Sequence, residues 1–504
     1  MLGLGLANAG VAEEVEIDTP SGGLRGEDHD VYRVFRGIPY AQPPIGPLRF
    51  RPPVAAAPWQ GVRPALQFGP APIQPVVSLP GYPGPLVTQA IDEDCLYLNV
   101  WTPAASGPHP VMVWIYGGSN VLGATSQPQY SGASFARDGV VCVTIGYRVG
   151  ALGFTELGGL LGPAFAGSGN NALRDLLLGL QWVHANIAAF GGDPARVTLA
   201  GESAGGKNVC SLLATPAAAG LFRAAIVESG GAQTAHTIAA AEEVATQFAA
   251  ALGKADTLAE MLLTRPAHEL LEAELKLIAG YPYAFPYRCV VDGVLLPEIP
   301  LQAIRAGAAA RVPLLVGNNR NDSVLFRPAD PGHRAIAPRE LAQLDPAVMA
   351  AVAARYRERF PQMSDIDLRG KLVTAEEYWI PSVRIAEAHA ASGGRTFMYR
   401  FDRAPTRGPW EGLAVHTSEL PFVWDNFDDP AMCPAGMGAR EQPLATTMHA
   451  TWVRFVQTGT PAATDLPDWT PYEASRRATM VFDETGHIHE DPSGDERTLW
   501  DGVL

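Results

Sequence analysis

Ser203 lies in the run Val197-Thr198-Leu199-Ala200-Gly201-Glu202-Ser203-Ala204-Gly205-Gly206. A β-branched, apolar stretch leads into Gly-x-Ser-x-Gly, and small, helix-compatible residues follow from Lys207 to Ala214. This pattern predicts a strand, a sharp turn and a helix, with the serine held out on the turn and its hydroxyl exposed. Gly201 and Gly205 have no Cβ, so strand and helix can close around a residue in an unfavourable backbone conformation. An ordinary Gly/Ser turn would show the same five residues, so the assignment depends on its partners.

A neutral serine hydroxyl is a poor nucleophile; it needs a base, and the base needs an orienting acid. Behind such an elbow the chain order is Ser, then Asp or Glu, then His. Leu314-Leu315-Val316 reads as a strand running into the turn-rich Gly317-Asn318-Asn319-Arg320-Asn321-Asp322-Ser323, which makes Asp322 the acid candidate. A turn-capping role for this aspartate stays open on the residues alone. Six histidines follow: His333, His389, His416, His449, His487 and His489. His416 lies in a short turn, Ala414-Val415-His416-Thr417-Ser418, after a strand-like run. His389 reads as a surface residue on an alanine-rich helix. His487 and His489 alternate near the C-terminus without the partners a metal site needs. Two sets of N–H groups could bind a developing oxyanion. One is that of Ala204, after the serine; the other belongs to Gly117-Gly118-Ser119-Asn120, directly after an apolar strand.

The elements that must position these groups are legible as near-continuous apolar runs: Val111–Tyr116, Val140–Ile145, Val197–Ala200, Ala224–Val227, Val312–Val316 and Thr396–Phe401. Such runs fit strands of a parallel sheet covered on both faces. Between them lie helical patterns over Asn171–Ala188, Ala239–Leu252 and Pro346–Phe360. The alternation predicts an α/β fold with a doubly wound sheet. Val15 to Ala104, rich in proline and turns, should add antiparallel edge strands and a long loop. Residues 231–310 and 328–392 read as helical excursions from one domain spanning 15–504.

The 504 residues carry 37 Lys+Arg against 52 Asp+Glu, a net charge of −15. No basic face for nucleic acid is visible, and no apolar stretch reaches the length of a membrane span. Residues 1–14 read as a flexible terminus or a trimmed export signal, which makes the chain soluble and cytoplasmic, or periplasmic or secreted if a signal was removed. The five cysteines, Cys95, Cys142, Cys210, Cys289 and Cys433, are widely spaced and read mostly as core thiols.

Together these residues resemble the type-B carboxylesterase family of the α/β-hydrolase superfamily, which also holds cholinesterases and bile-salt lipases. The resemblance runs through Phe35-Arg36-Gly37-Ile38-Pro39-Tyr40-Ala41, Glu93-Asp94-Cys95-Leu96-Tyr97-Leu98-Asn99-Val100, Asn170-Asn171-Ala172-Leu173-Arg174-Asp175 and Phe190-Gly191-Gly192-Asp193-Pro194. It continues through the elbow, Leu221-Phe222-Arg223-Ala224-Ala225-Ile226 and Leu466-Pro467-Asp468-Trp469-Thr470-Pro471. It implies an α/β-hydrolase fold with a mostly parallel twisted sheet and helical insertions around a gorge. It also implies Ser203 as nucleophile, His416 (in His-x-x-Glu-Leu-x-Phe-Val) as base, and Asp322 where the family usually has glutamate. A shorter acid requires the loop to move inward or the His–acid bond to lengthen. Gly118, Ser119 and Ala204 would donate to the oxyanion, with Gly117 beside them.

Four further positions follow from the resemblance. Asn120 stands where an apolar residue often shapes the acyl pocket, which suggests a polar acyl or alcohol group. Glu202 would lie near the triad, either stabilising the imidazolium or in a structural role. Ser229 matches a serine that bonds the acid, or else caps a strand end. Cys95 matches a cysteine whose disulfide partner, near Ala71-Pro72-Ile73, is absent here. The same loop lacks the tryptophan with which cholinesterases hold quaternary ammonium, which argues against choline esters. The expected activity is hydrolysis of a bulky or polar carboxylic ester through an acyl-enzyme, without metal or cofactor. The expected partner is a small-molecule ester, not nucleic acid. An acyltransferase or lipase on the same residues, or a non-catalytic binding module, are the alternatives.

Overall fold

Thirteen strands share one sheet in the order β1-β2-β3-β5-β7-β6-β8-β9-β12-β13-β14-β15, with β4 pairing on β2. This computed structural model describes residues 13–78, 85–253, 257–281, 286–326, 346–427 and 436–503. His333, Cys433, residues 1–12 and the start of the second helical excursion lie outside them. The strands are β1 (Glu13–Thr19), β2 (Gly22–Asp28), β3 (Tyr32–Pro39), β4 (Val62–Pro64), β5 (Tyr97–Pro103), β6 (His109–Ile115), β7 (Val141–Ile145) and β8 (Gly192–Glu202). They continue with β9 (Ala224–Glu228), β12 (Leu314–Asn319), β13 (Thr396–Phe401), β14 (Ala478–Phe482) and β15 (Gly486–Glu490). A separate parallel pair joins β10 (His236–Thr237) to β11 (Val290–Val291).

From β7 to β14 the pairing is parallel, and every residue of β7, β9, β12 and β14 is buried. That is the burial expected of unbroken apolar runs with helices on both faces. The flanks are antiparallel. On one side β1, β2, β3 and β5 fold back on one another and β5 pairs with β7. On the other, the β14–β15 pair closes the sheet, an addition the sequence patterns did not reveal. The helix Asn171–Asn186 buries Leu173, Leu176, Leu180 and Val183 at three- and four-residue spacing.

The excursions are helical: Ile238–Leu252, Leu258–Thr264, Ala267–Gly280 and Pro300–Arg305 in the first, Pro346–Arg359, Asp365–Thr374 and Ile380–Ala391 in the second. His389 is not a surface residue. It is 1% exposed, with Nδ1 2.7 Å from Thr396 Oγ1 and Nε2 3.0 Å from Ala309 O. Its helix packs on β12 and β13, and flanking alanines fit either face, so they gave no sign of which way the ring turns. Burial pushes its pKa down. Cys95, Cys142, Cys210 and Cys289 are buried and unbridged. In place of a disulfide, Ala71 clasps the facing segment through Ala71 N–H to Ala90 O at 2.8 Å and Asp92 N–H to Ala71 O at 2.9 Å.

Candidate active site

The strand β8 runs straight into Ser203, and the helix Ala204–Leu213 starts directly after it. Ser203 has φ 58° and ψ −123°, a conformation L-residues rarely adopt. Its N–H donates to Glu228 O at 2.9 Å, which ties the elbow to β9. A Cβ on Gly205 would lie 2.0 Å from Ile115 O, so only glycine lets the helix start this close to β6.

Asp322 opens a short turn after β12, and His416 lies in the loop after β13. The two loops are pinned together by Asn321 N–H to Ala414 O at 2.8 Å and His416 N–H to Asp322 O at 3.2 Å. That proximity compensates for the short acid, because His416 Nδ1 lies 2.8 Å from Asp322 Oδ1. At this distance the contact is an ordinary hydrogen-bond length. Asp322 is fully buried and accepts from three further donor groups. Ser229 Oγ lies 3.1 and 3.2 Å from its two oxygens, Asn319 N–H donates at 2.9 Å, and Asn319 Nδ2 donates at 3.3 Å. Since a carboxylate only accepts, Nδ1 is the donor in this contact.

On the other side of the ring, His416 Nε2 lies 3.0 Å from Glu202 Oε1. Among the described residues no hydrogen bond joins Nε2 to Ser203 Oγ. Both side chains nevertheless face one cavity of about 100 Å³, whose wall includes Gly118, Tyr130 and Phe326. Open or loosely aligned contacts of this kind are common before substrate binds. Burial pushes Glu202 well above the usual carboxyl range; Asp322 and Glu228 add to the rise and Lys207 opposes it.

The glycine loop after β6 approaches the elbow closely. A Cβ on Gly117 would come within 2.8 Å of Ser203 Cβ and of Glu202 O. Gly118 has φ 118°, and a Cβ there would meet Leu122 O at 2.2 Å. Ser119 and Asn120 follow at φ 57° and 60°, two strained residues in a row. Among the described residues the N–H groups of Gly118 and Ser119 donate to no backbone carbonyl. The Asn120 amide is engaged at both ends: Nδ2 donates to Tyr287 O at 3.1 Å and Oδ1 accepts from Asn208 Nδ2 at 3.1 Å. It is part of a bonded wall, not a free amide waiting for substrate.

Several neighbours escaped the sequence reading. Glu419 accepts from Asn319 Nδ2 at 2.5 Å, and its place three residues after His416 was the available signal. Lys207, Arg288, Glu377 and Tyr378 gather beside Ser203. Lys207 follows the serine by one helical turn, but nothing in the sequence joins it to residues 288 and 377. The Tyr378 ring packs on His416 with centroids 4.7 Å apart. His487 and His489 lie on β15, with His487 Nδ1 3.7 Å from Asp483.

A family model described as the carboxylesterase family matches residues 13–500. The chain belongs to the carboxylesterase family. It is 36% identical over 487 residues to the para-nitrobenzyl esterase of Bacillus subtilis, covering 95% of this chain and 97% of that one. It is 32% identical over 478 residues to the fumonisin B1 esterase of Sphingopyxis macrogoltabida, covering 92% and 85%. A solved carboxylesterase of Geobacillus stearothermophilus superposes with a TM-score of 0.84 at 37% identity, covering 96% of this chain and 99% of the other. The carboxylesterase has the α/β-hydrolase fold and is a carboxylic ester hydrolase. Among its described residues no helix is long and apolar enough to cross a membrane.

Proposed function

We propose that Ser203, His416 and Asp322 act as nucleophile, base and orienting acid of this carboxylesterase, with Gly118, Ser119 and Ala204 N–H groups as oxyanion donors. The observation that carries the reading is the His416 ring held by Asp322 at 2.8 Å and lining, together with Ser203, one cavity. Rotation of the Ser203 side chain toward Nε2 gives the productive contact. His416 takes the Ser203 proton as Oγ attacks the ester carbonyl. The oxyanion then forms against the three N–H groups, each worth about 2.7–4 kcal/mol in such sites. Collapse expels the alcohol, protonated by His416, and leaves an acyl-enzyme. His416 next deprotonates water, which attacks the acyl carbon and returns Ser203. Mixing the enzyme with p-nitrophenyl acetate should release a burst of nitrophenol equal to the enzyme concentration, and Ser203→Ala should abolish it. A full burst in that variant would overturn the assignment.

A further inference from the structure

Two cavities meet at Ser203, and they differ in size and in chemistry. The first, of about 100 Å³, holds His416 and is walled largely by Leu86, Leu122, Tyr130, Leu325 and Phe326. The second, of about 20 Å³, lies beyond Ser119 and is lined by Asn120, Lys207, Asn208, Ser211 and Thr234, but not by His416. About 10–15 Å³ of such space holds one water molecule, so the second cavity has room for one or two groups of that size.

Bonds, rather than loose side chains, keep the second cavity small. The Asn120 amide is fixed between Tyr287 O and Asn208 Nδ2, both at 3.1 Å. Asn208 Oδ1 in turn takes the Cys289 thiol at 3.4 Å, and Tyr287 and Cys289 are themselves buried. Lys207 pairs with Glu377, whose side chain is 2% exposed. Widening this cavity means breaking such contacts inside the protein, where an orphaned polar group is costly. An apolar chain would also meet hydroxyls, amides and an ammonium there. The first cavity has the opposite character, since aliphatic and aromatic side chains line it beside His416.

We propose that the enzyme treats the two halves of its substrate unequally, taking a short acyl group, acetyl or propionyl, on an extended apolar alcohol. The inference rests on Ser203 being the nucleophile and deepens that reading. Proton transfer sets the direction of the substrate: His416 must protonate the leaving oxygen, and it lines only the first cavity. With the oxyanion against Gly118, Ser119 and Ala204, the alcohol occupies the first cavity and the acyl carbons point into the second. An acetyl group places a single methyl there. A hexanoyl group must displace the bonded wall, with the penalty of overpacking. Asn120 is then a specificity-determining residue that acts by closing the acyl side, not by bonding the substrate.

Hexyl acetate and ethyl hexanoate are isomers, so the ratio of their kcat/KM values reads which half is long while total apolar content stays the same. The wild type should favour hexyl acetate by roughly 10-fold or more, the size of a methylene or two accepted or refused by a pocket. It should also favour hexyl acetate over ethyl acetate by roughly 10-fold, because the added methylenes leave water in the first cavity. Asn120→Gly, which suits the backbone at φ 60°, should lower the hexyl acetate to ethyl hexanoate ratio at least several-fold by admitting the longer acyl chain. Phe326→Ala should instead shrink the gain of hexyl over ethyl acetate. A wild-type isomer ratio near unity, or one favouring ethyl hexanoate, overturns the proposal with Ser203 untouched, and that comparison needs no variant. An Asn120→Gly enzyme that keeps the wild-type ratio overturns the role given to Asn120. Absence of a Ser203-dependent burst with p-nitrophenyl acetate would instead remove the reading beneath it.

Discussion

Two carboxyl groups touch the same imidazole and are built in opposite ways. Asp322, 2.8 Å from Nδ1, is surrounded by donors from Ser229 and Asn319. Glu202, 3.0 Å from Nε2, has no hydrogen-bond donor on the oxygen facing the ring, and burial pushes it toward the neutral acid. Both are buried, so burial alone does not separate them. The difference lies in the donors: a low-dielectric site keeps a carboxylate where hydrogen bonds replace its lost water and disfavours it where they do not. One arm of the ring is thus fixed before substrate arrives, and the other is free to change.

The sharpest way to break this contrast is Asp322→Asn. The amide keeps the shape but favours the wrong His416 tautomer, and kcat should fall by about 10⁴-fold. A loss below 10-fold would show that another group orients the ring.

A smaller effect is expected at the other arm. A neutral Glu202 gives the imidazolium no counter-charge beside Nε2, whereas ionised Glu202 favours it. As pH rises through the raised Glu202 pKa, kcat/KM of the wild type should therefore increase by roughly 5–30-fold, the equivalent of one to two kcal/mol. Glu202→Gln should lose that rise. Superimposable pH profiles of the two proteins would remove Glu202 from the account.

Much of this contrast was legible in the sequence. The Gly-x-Ser-x-Gly elbow, the strand before Asp322 and the turn holding His416 each carried a local signature, because strained turns and buried strands demand particular residues. The strand expected over Thr396–Phe401 occupies those residues, and the helix expected over Ala239–Leu252 starts one residue earlier, at Ile238. What stayed hidden depends on pairs distant in the chain. The side of His389's helix that faces the sheet, the meeting of Lys207 with Glu377, and the contact of Glu202 with Nε2 are set by packing among elements, which local pattern does not encode.

The mildest prediction concerns Glu228, which shares the low-donor character of Glu202. Burial raises it to about 8, opposed by a 2.7 Å hydrogen bond from Trp452 Nε1. Below the ordinary carboxyl pKa of about 4.3 it is protonated in both folded and unfolded chains, and its contribution to stability is fully present. As pH rises toward 8 only the unfolded chain ionises, so stability falls by at most about 1.4 kcal/mol per pH unit. Glu228→Gln should flatten the decline of Tm between pH 5 and 8. An unchanged slope would assign the decline to other groups.

The central claim is that the acyl group passes through one hydroxyl. Acid quench of the enzyme during the burst with p-nitrophenyl butyrate, followed by peptide mass spectrometry, reads this directly. One butyryl group should appear on the peptide containing Ser203 and none in Ser203→Ala. Butyryl on any other residue at burst stoichiometry, or a burst with no adduct at Ser203, would contradict it.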